Sequence, residues 1–378
     1  MLVHQSNRLE ILLAHLLAVL EQPPADPLRP ECIVVPNQGM AQWLACQTAL
    51  ATGIAANLDF PLPGRFVWEL LQRLSGRPAE EDLFARPVLC WRLVSLLPDC
   101  LDHPLFAELA AYLADDTDGR KLLQLAERIS EVFDQYLVFR PDLLRQWQRQ
   151  GSDEHWQALL WRRLAAAGPP LRALLGERSR QLLESTDHPV DLPERVLLFG
   201  LNALPPVYLE IVAQLSRRTE VHLFHLSPCR HYWPDLRSAR QLAAARRSSG
   251  AKPDDDLYDS GNPLLLSLGR AGRDFLRQLV ELGPEDVDGY AEGTRPDLLT
   301  TLQNDILDLY DRSRPGEERF VLRPDDCSVQ LHTCCSPLRE VQVLHDRLLD
   351  LFQALPGLTP GDILVAAPDI RLYAGAIA

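Results

Sequence analysis

The sequence predicts an α/β protein interrupted by a long helical insertion. Three observations predict it. Strand-like and helix-like patterns alternate over residues 2–51, helical patterns alone occupy residues 66–185, and buried-looking strands return at 195–226 and again from 328. Alternation of this kind builds a largely parallel sheet with helices packed on it.

Each element follows from local chemistry. Residues 2–5 form a short apolar strand. In residues 7–20 the side chains Leu9, Leu12, Leu13, Leu16, Leu17 and Leu20 recur at helical spacing. Residues 23–30 are a proline-rich loop, 32–35 a buried strand and 39–51 a helix. Helical patterns follow at 66–74, 87–97, 105–113, 120–137, 155–167 and 171–183. Residues 195–200 (RVLLFG) then read as strand, 206–215 as helix and 220–226 as strand. Residues 229–260 are a long charged excursion, of a length usually kept for mobile or functional loops. Helices are expected at 262–282 and 296–309. After a polar stretch at 312–326, a second α/β unit is expected: a strand at 328–334, a helix capped by Ser336 with Pro337 at its first position, and a strand at 362–366. Two strands cannot close a core, so a truncated domain is expected there. The chain thus divides into a split α/β domain (1–65 and 190–311), a helical insertion (66–189), a linker (312–327) and the start of a further α/β domain (328–378).

Composition narrows the class. Of 378 residues, 46% are hydrophobic and 24% charged, ordinary values for a globular protein. Apolar runs fall short of the roughly 18–20 residues a membrane span requires, and the N-terminus has neither the charged start nor the cleavage site of a signal peptide. The eight cysteines form no C-x-x-C pair. Reduced thiols in a cytoplasmic protein are expected, not a zinc site or a disulfide framework. A net charge of −14 argues against nucleic-acid binding over the whole surface. It leaves room for a local basic channel, because DNA responds to local potential.

Catalytic motifs are missing. A phosphate-binding loop needs glycines whose amides face the phosphates, a lysine and a hydroxyl for magnesium. The turn after the first strand reads HQSNR (4–8), without glycine or lysine, and neither Lys121 nor Lys252 is followed by Ser or Thr. The turn after 195–199 carries Asn202 and no carboxylate, which suits either a degraded nucleotide site or a plain turn. His222 and His225, three apart on a strand, face opposite sides and read as core or surface residues. Asp115, Asp116 and Asp118 read as a solvated interhelix turn.

Features that suit nucleic acid are present. Gln38 and Gln42 open a helix, and an amide offers a donor and an acceptor together to a base edge. Phe66 and Trp68 have faces that suit base stacking. A polar helix cap and buried aromatics explain the same residues without DNA. Arg230, Arg237, Arg240, Arg246 and Arg247 are candidate phosphate contacts or the polar surface of a solvated loop.

Longer blocks carry a resemblance. HQSNRL (4–9), GMAQWL (39–44), GIAANLDFPLP (53–63), FDQYLVFRP (133–141), LNALPPVYL (201–209), SPCRHYW (227–233), GNPLL (261–265) and SPLREVQVLHDR (336–347) resemble, in order, the gamma chain (RecC) family of bacterial exodeoxyribonuclease V, the RecBCD enzyme. The resemblance implies an inactive superfamily 1 helicase-like fold, a degenerate P-loop NTPase. Its subdomains 1A, 1B and the start of 2A would be the split domain, the insertion and the last unit. It further implies a subunit with no cofactor of its own. RecB-like and RecD-like partners would use ATP and magnesium as motors, with RecB supplying the nuclease. The gamma chain would split duplex DNA and scan the 3′ strand for the recombination hotspot Chi. The residues implied to line the scanning channel are Gln38, Gln42, Leu62, Trp68, Glu131, Asp134 and Arg140, with Glu131 a conservative change. Pro36 stands where well-known members have glutamine, and Gln38 where they have threonine, so a different or less tightly read hotspot is expected. An active superfamily 1 helicase or nuclease is the alternative, and the missing phosphate loop argues against it. An unrelated α/β enzyme would need glycines that the first turn lacks.

Overall fold

The fold is seen in a computed structural model that describes residues 1–75, 83–149, 155–166, 181, 183, 192–237, 261–314 and 316–377. It comprises two units, one of residues 1–292 and 305–311, the other of residues 293–304 and 312–378.

In the first unit the chain runs β1 (Leu2–Ser6), α1 (Leu9–Leu20), β2 (Glu31–Val34), α2 (Gln38–Thr52), β3 (Leu58–Asp59), α3 (Pro63–Ser75), α4 (Arg86–Leu96), α5 (Ala107–Leu113), α6 (Arg120–Phe139), α7 (Pro141–Arg149) and α8 (Trp156–Ala166). It continues through β4 (Arg195–Phe199), α9 (Pro206–Leu215), β5 (Glu220–Leu226), α10 (Pro263–Leu268), α11 (Arg270–Glu281) and β6 (Glu285–Asp288). The six strands form one sheet in the order β3-β2-β4-β5-β1-β6, every pairing parallel. The α/β expectation is met.

A parallel sheet must be covered on both faces, and the alternation of side chains along each strand supplies both. Ile33, Leu197, Phe199 and Phe224 pack with Leu12, Leu13 and Leu16 of α1 and Ala41 and Leu44 of α2. Val3, Val34, Val196, Leu198, Val221 and Leu223 pack with α3, α9 and α11 on the other face. A second core lies wholly within the helices α4 to α8 and the turns between them. Its centre is Trp161, with Phe84 at 5.1 Å and Phe133 at 5.5 Å between ring centroids.

Several elements differ from expectation for identifiable reasons. The helix expected at 262–282 is two helices, broken at Gly269. A Cβ there would lie 2.5 Å from the Leu265 carbonyl and 2.9 Å from the buried Trp233 ring. Helix α7 and strands β3 and β6 were not expected from sequence. β3 has two residues, and β6 is the exposed, acidic EDVD, a composition typical of a protected sheet edge. The helix expected at 171–183 lies outside the described residues except for positions 181 and 183.

In the second unit, helix α12 (Leu298–Leu307), whose last residues count with the first unit, has its leading amides capped. Leu298 N donates to Asp326 Oδ2 at 2.7 Å, Leu299 N to Ser328 Oγ at 3.1 Å and Thr300 N to Asp297 Oδ1 at 2.8 Å. Helix α13 (Pro337–Ala354) starts as expected, with Ser336 Oγ accepting from Arg339 N. The strands expected at 328–334 and 362–366 do not form. A strand exists only with a partner, and among the described residues neither segment has one.

Two buried polar arrangements brace the sheet. Arg195 at the start of β4 holds Glu31 at the start of β2 through two bonds, one of 2.9 Å, and donates to Val19 O of α1 at 2.7 Å. Under β1, His222 donates from Nε2 to Glu220 at 2.9 Å. Its Nδ1 is thereby left to accept from His4 Nε2 at 3.0 Å, and His15 stands edge-on to His4. On the opposite face His225 lies against Phe275.

Breaking the first arrangement leaves a buried charge without its partner. Arg195→Ala is expected to destabilise the chain by about 3–5 kcal/mol, read as a lowered urea midpoint; a change below about 1 kcal/mol would contradict the bracing role.

The histidines predict a pH dependence. Burial lowers the pKa of His4 to about 4, with repulsion from His222 and His15 adding to it. Burial lowers His225 to about 4 as well, against a backbone hydrogen bond at Leu201 that raises it. The unfolded chain protonates both near 6.5. Between 6.5 and 4 it therefore binds more protons than the folded chain, so stability is full above 6.5 and lost as pH falls toward 4. Urea midpoints measured from pH 7.5 to 4.5 should fall, and His225→Leu should flatten the curve within that window.

Candidate nucleic-acid interface

Because all strands are parallel, their carboxyl ends open on one edge, where α/β proteins bind ligands. β2 and β3 are tied there by a hydrogen bond from Val35 N to Pro61 O of 3.1 Å. Three residues on from Val35, α2 begins. Asn37 is extended and its side chain accepts from Met40 N at 2.9 Å, a standard cap. Ala41, Leu44 and Thr48 turn inward. Gln38 and Gln42, one turn apart, are both exposed, and neither amide has a hydrogen-bond partner among the described residues. The turn after β4 lies against this helix start. Gly200 has φ +67°, and a Cβ on it would meet Met40 Cε at 3.3 Å.

The same edge carries Leu62, 38% exposed, whose carbonyl accepts from Phe66 N at the start of α3. Trp68 is half-buried and packs against the sheet core. Phe66, offered with it as a stacking residue, is buried in that core. Val138 of α6 packs on the same core. Glu131 and Asp134 precede it by seven and four residues, on neighbouring positions of one helical face; both are half-buried, and Glu131 accepts from Arg128 at 2.7 Å. Arg140 ends α6 in a non-helical conformation (φ −138°, ψ 49°), is exposed, and has no ion-pair partner among the described residues. Five of the seven residues stand on three helices, with Leu62 just before α3 and Arg140 just after α6. Gln38 and Leu62 follow the exits of β2 and β3, and α3 and α6 share a core through Trp68 and Val138.

The basic candidates differ from one another. Arg230 is held by two carboxylates, Glu292 at 2.6 Å and Asp308 at 2.7 Å; its hydrogen bond to Glu292 is the main cause of a raised pKa. Arg237 is half-buried and engaged. Arg240, Arg246 and Arg247 lie outside the described residues. The acidic turn before α6 is structural: Asp116 accepts from the amides of Lys121 and Leu122, and Asp118 from that of Arg120.

At the turn after β1, the chain's own backbone takes the polar groups. Ser6 Oγ donates to Gly289 O at 2.8 Å. Asn7 exchanges two bonds with the Ala291 backbone, of 2.8 and 3.0 Å, and Arg8 donates to Glu292 O at 2.9 Å. Among the described residues no cluster of three metal-ligating side chains occurs, and no helix is long and apolar enough to cross a membrane.

The helical pattern expected at 120–137 stops short of Phe139, which the structure places at the end of α6. The structure leaves it 64% exposed beside Arg140. Arg65, one turn after Leu62, is likewise exposed and paired with Glu69 at 2.6 Å.

Comparison with known proteins places these features in a family. The model of the RecC N-terminal domain matches residues 1–309. The RecBCD enzyme subunit RecC of Escherichia coli K12 is 39% identical over 98% of this chain and 37% of its own length. That of Haemophilus influenzae is 34% identical over 98% of the chain and 38% of its length, and that of Mycolicibacterium smegmatis 33% identical over 98% and 33%. The chain spans little more than a third of the length of these relatives. It belongs to the RecC family, and residues 1–309 are that family's N-terminal domain.

Proposed function

We propose that this chain acts within a RecBCD-type complex as a non-catalytic DNA-binding portion, in double-strand break repair and homologous recombination in the cytoplasm. It helps split the duplex and scans the 3′ strand for a Chi hotspot. RecB-like and RecD-like subunits use ATP and magnesium. The fold is an inactive superfamily 1 helicase-like one, with residues 66–189 as its helical 1B-like insertion and residues 328–378 as the start of a 2A-like domain.

The observation that carries the scanning reading is the pair Gln38 and Gln42, exposed and without hydrogen-bond partners among the described residues at the start of a capped helix. A surface amide gains little stability for its own fold, whereas a bidentate contact to a base discriminates by about 1–3 kcal/mol. The non-catalytic reading is supported by the turn after β1, where Ser6, Asn7 and Arg8 hold backbone instead of leaving amides for phosphate.

In the assembled full-length complex, Gln42→Ala is expected to impair the response to hotspot-containing duplex while leaving unwinding of hotspot-free duplex nearly intact. Mapping of strand products on both substrates reads this. Equal slowing on both with a full hotspot response would make Gln42 a structural residue only.

Equilibrium titration of the chain with a fluorescent ATP analogue and magnesium is expected to show no saturable binding. Micromolar affinity would favour the active-helicase reading instead.

A further inference from the structure

We propose that Phe139 is a base-stacking residue for single-stranded DNA, acting with Arg140 at the elbow between α6 and α7. The proposal rests on the DNA-scanning reading above and adds to it a side chain that the family pattern of reading residues does not include.

Phe139 is an aromatic side chain 64% exposed on an otherwise well-packed helix. Its exposure does not come from a loose chain end. The next residue but one starts α7, and the elbow is fixed from both sides. Arg140 N donates to Tyr136 O at 2.9 Å and Leu144 N to Arg140 O at 3.4 Å. Beneath it Phe133, Leu137 and Leu144 are buried in one cluster, and the Tyr136 ring stands edge-on to Trp147 at 5.9 Å. A fixed backbone therefore presents Phe139 to solvent.

The neighbouring charge indicates the ligand. Arg140 is exposed and, unlike Arg230 with its two carboxylates, has no ion-pair partner among the described residues. A flat aromatic face beside an uncompensated guanidinium is the combination that single-strand binding proteins use: bases stack on the ring and the cation takes the backbone phosphate. A protein partner covering Phe139 would bring an apolar surface and leave Arg140 without a counter-charge. A polynucleotide satisfies both groups. Stacking tolerates any base, so Phe139 would hold the strand in register while the amides on α2 test base edges.

The test uses the full-length protein assembled with its partner subunits and a single-stranded oligonucleotide carrying 5-iodouracil. Irradiation is expected to join the label to the peptide containing Phe139. Phe139→Ala should remove that product and weaken single-strand affinity about tenfold, Phe139→Trp should restore affinity, and subunit assembly should be unchanged. If Phe139→Ala keeps full affinity while Arg140→Ala and Gln42→Ala lose affinity or hotspot response, stacking by Phe139 is refuted and the scanning reading stands. If none of the three variants changes DNA affinity or hotspot response, the scanning reading itself fails. Loss of subunit co-purification in Phe139→Ala, with DNA affinity unchanged, identifies a protein-covered face and overturns the proposal.

Discussion

The constraint on which the first unit depends is that all six of its strands run the same way. A parallel strand cannot return by a tight hairpin, so each connection must cross back over a face of the sheet. Both faces are therefore buried, which is why β4 (RVLLF) is buried at every position and does not alternate. The same constraint sends every strand exit to one edge. The turns after β1, β2, β3 and β4 all open there, so segments distant in sequence come together, as where Val35 N donates to Pro61 O. The buried Arg195–Glu31 pair acts at the opposite edge, where β2 and β4 begin, and fixes the register on which those exits depend.

What each exit does is decided by how its polar groups are satisfied. After β1 the side chains turn inward onto residues 289–292, which follow the edge strand β6, and the turn becomes a brace between β1 and the sheet edge. After β2 the cap residue Asn37 is used locally, and the two glutamines beyond it are exposed and have no hydrogen-bond partner among the described residues. A loop whose donors are spent on its own backbone has none left for a ligand. A helix face whose amides are unspent has both donors and acceptors to offer.

Much of this was legible in the sequence because the signals are local. The interior strands β4 and β5 fall within the expected 195–200 and 220–226, and α9 spans the expected residues 206–215. The capped start of α13 follows from Ser336, whereas the cap of α2 by Asn37 appears only in the structure. What was not legible depends on partners distant in sequence. β3 and β6 exist because β2 and β1 offer them hydrogen bonds, not because Leu58–Asp59 or EDVD favour a strand. The break falls at Gly269, where a Cβ would crowd the Leu265 carbonyl and the ring of Trp233, thirty-six residues away, and the pattern of 262–282 alone favours one helix. The strands expected at 328–334 and 362–366 show the reverse: an apolar pattern without a neighbour does not become a strand. At the candidate site, residue type pointed to amides, aromatics and arginines, but whether each was free, paired or buried was set by tertiary structure. Phe66 is buried, Trp68 half-buried, Arg230 neutralised and Arg140 open.

This last distinction would reconcile an acidic chain with the nucleic-acid partner proposed for it. With a net charge of −14, most of the surface repels phosphate, and arginine number alone says little. An exposed arginine already shared between two carboxylates, as Arg230 is, must give up those contacts before it can hold DNA, and the carboxylates left behind would face the phosphate. Arg140 has no such carboxylate among the described residues. Screening confines each of these interactions to about 8–10 Å at physiological salt, so the repulsive remainder of the surface does not cancel a local site. It does exclude strands that approach elsewhere. On the proposed reading, Arg140 would attract a strand by its local charge, and the acidic remainder of the surface would keep strands from being held elsewhere.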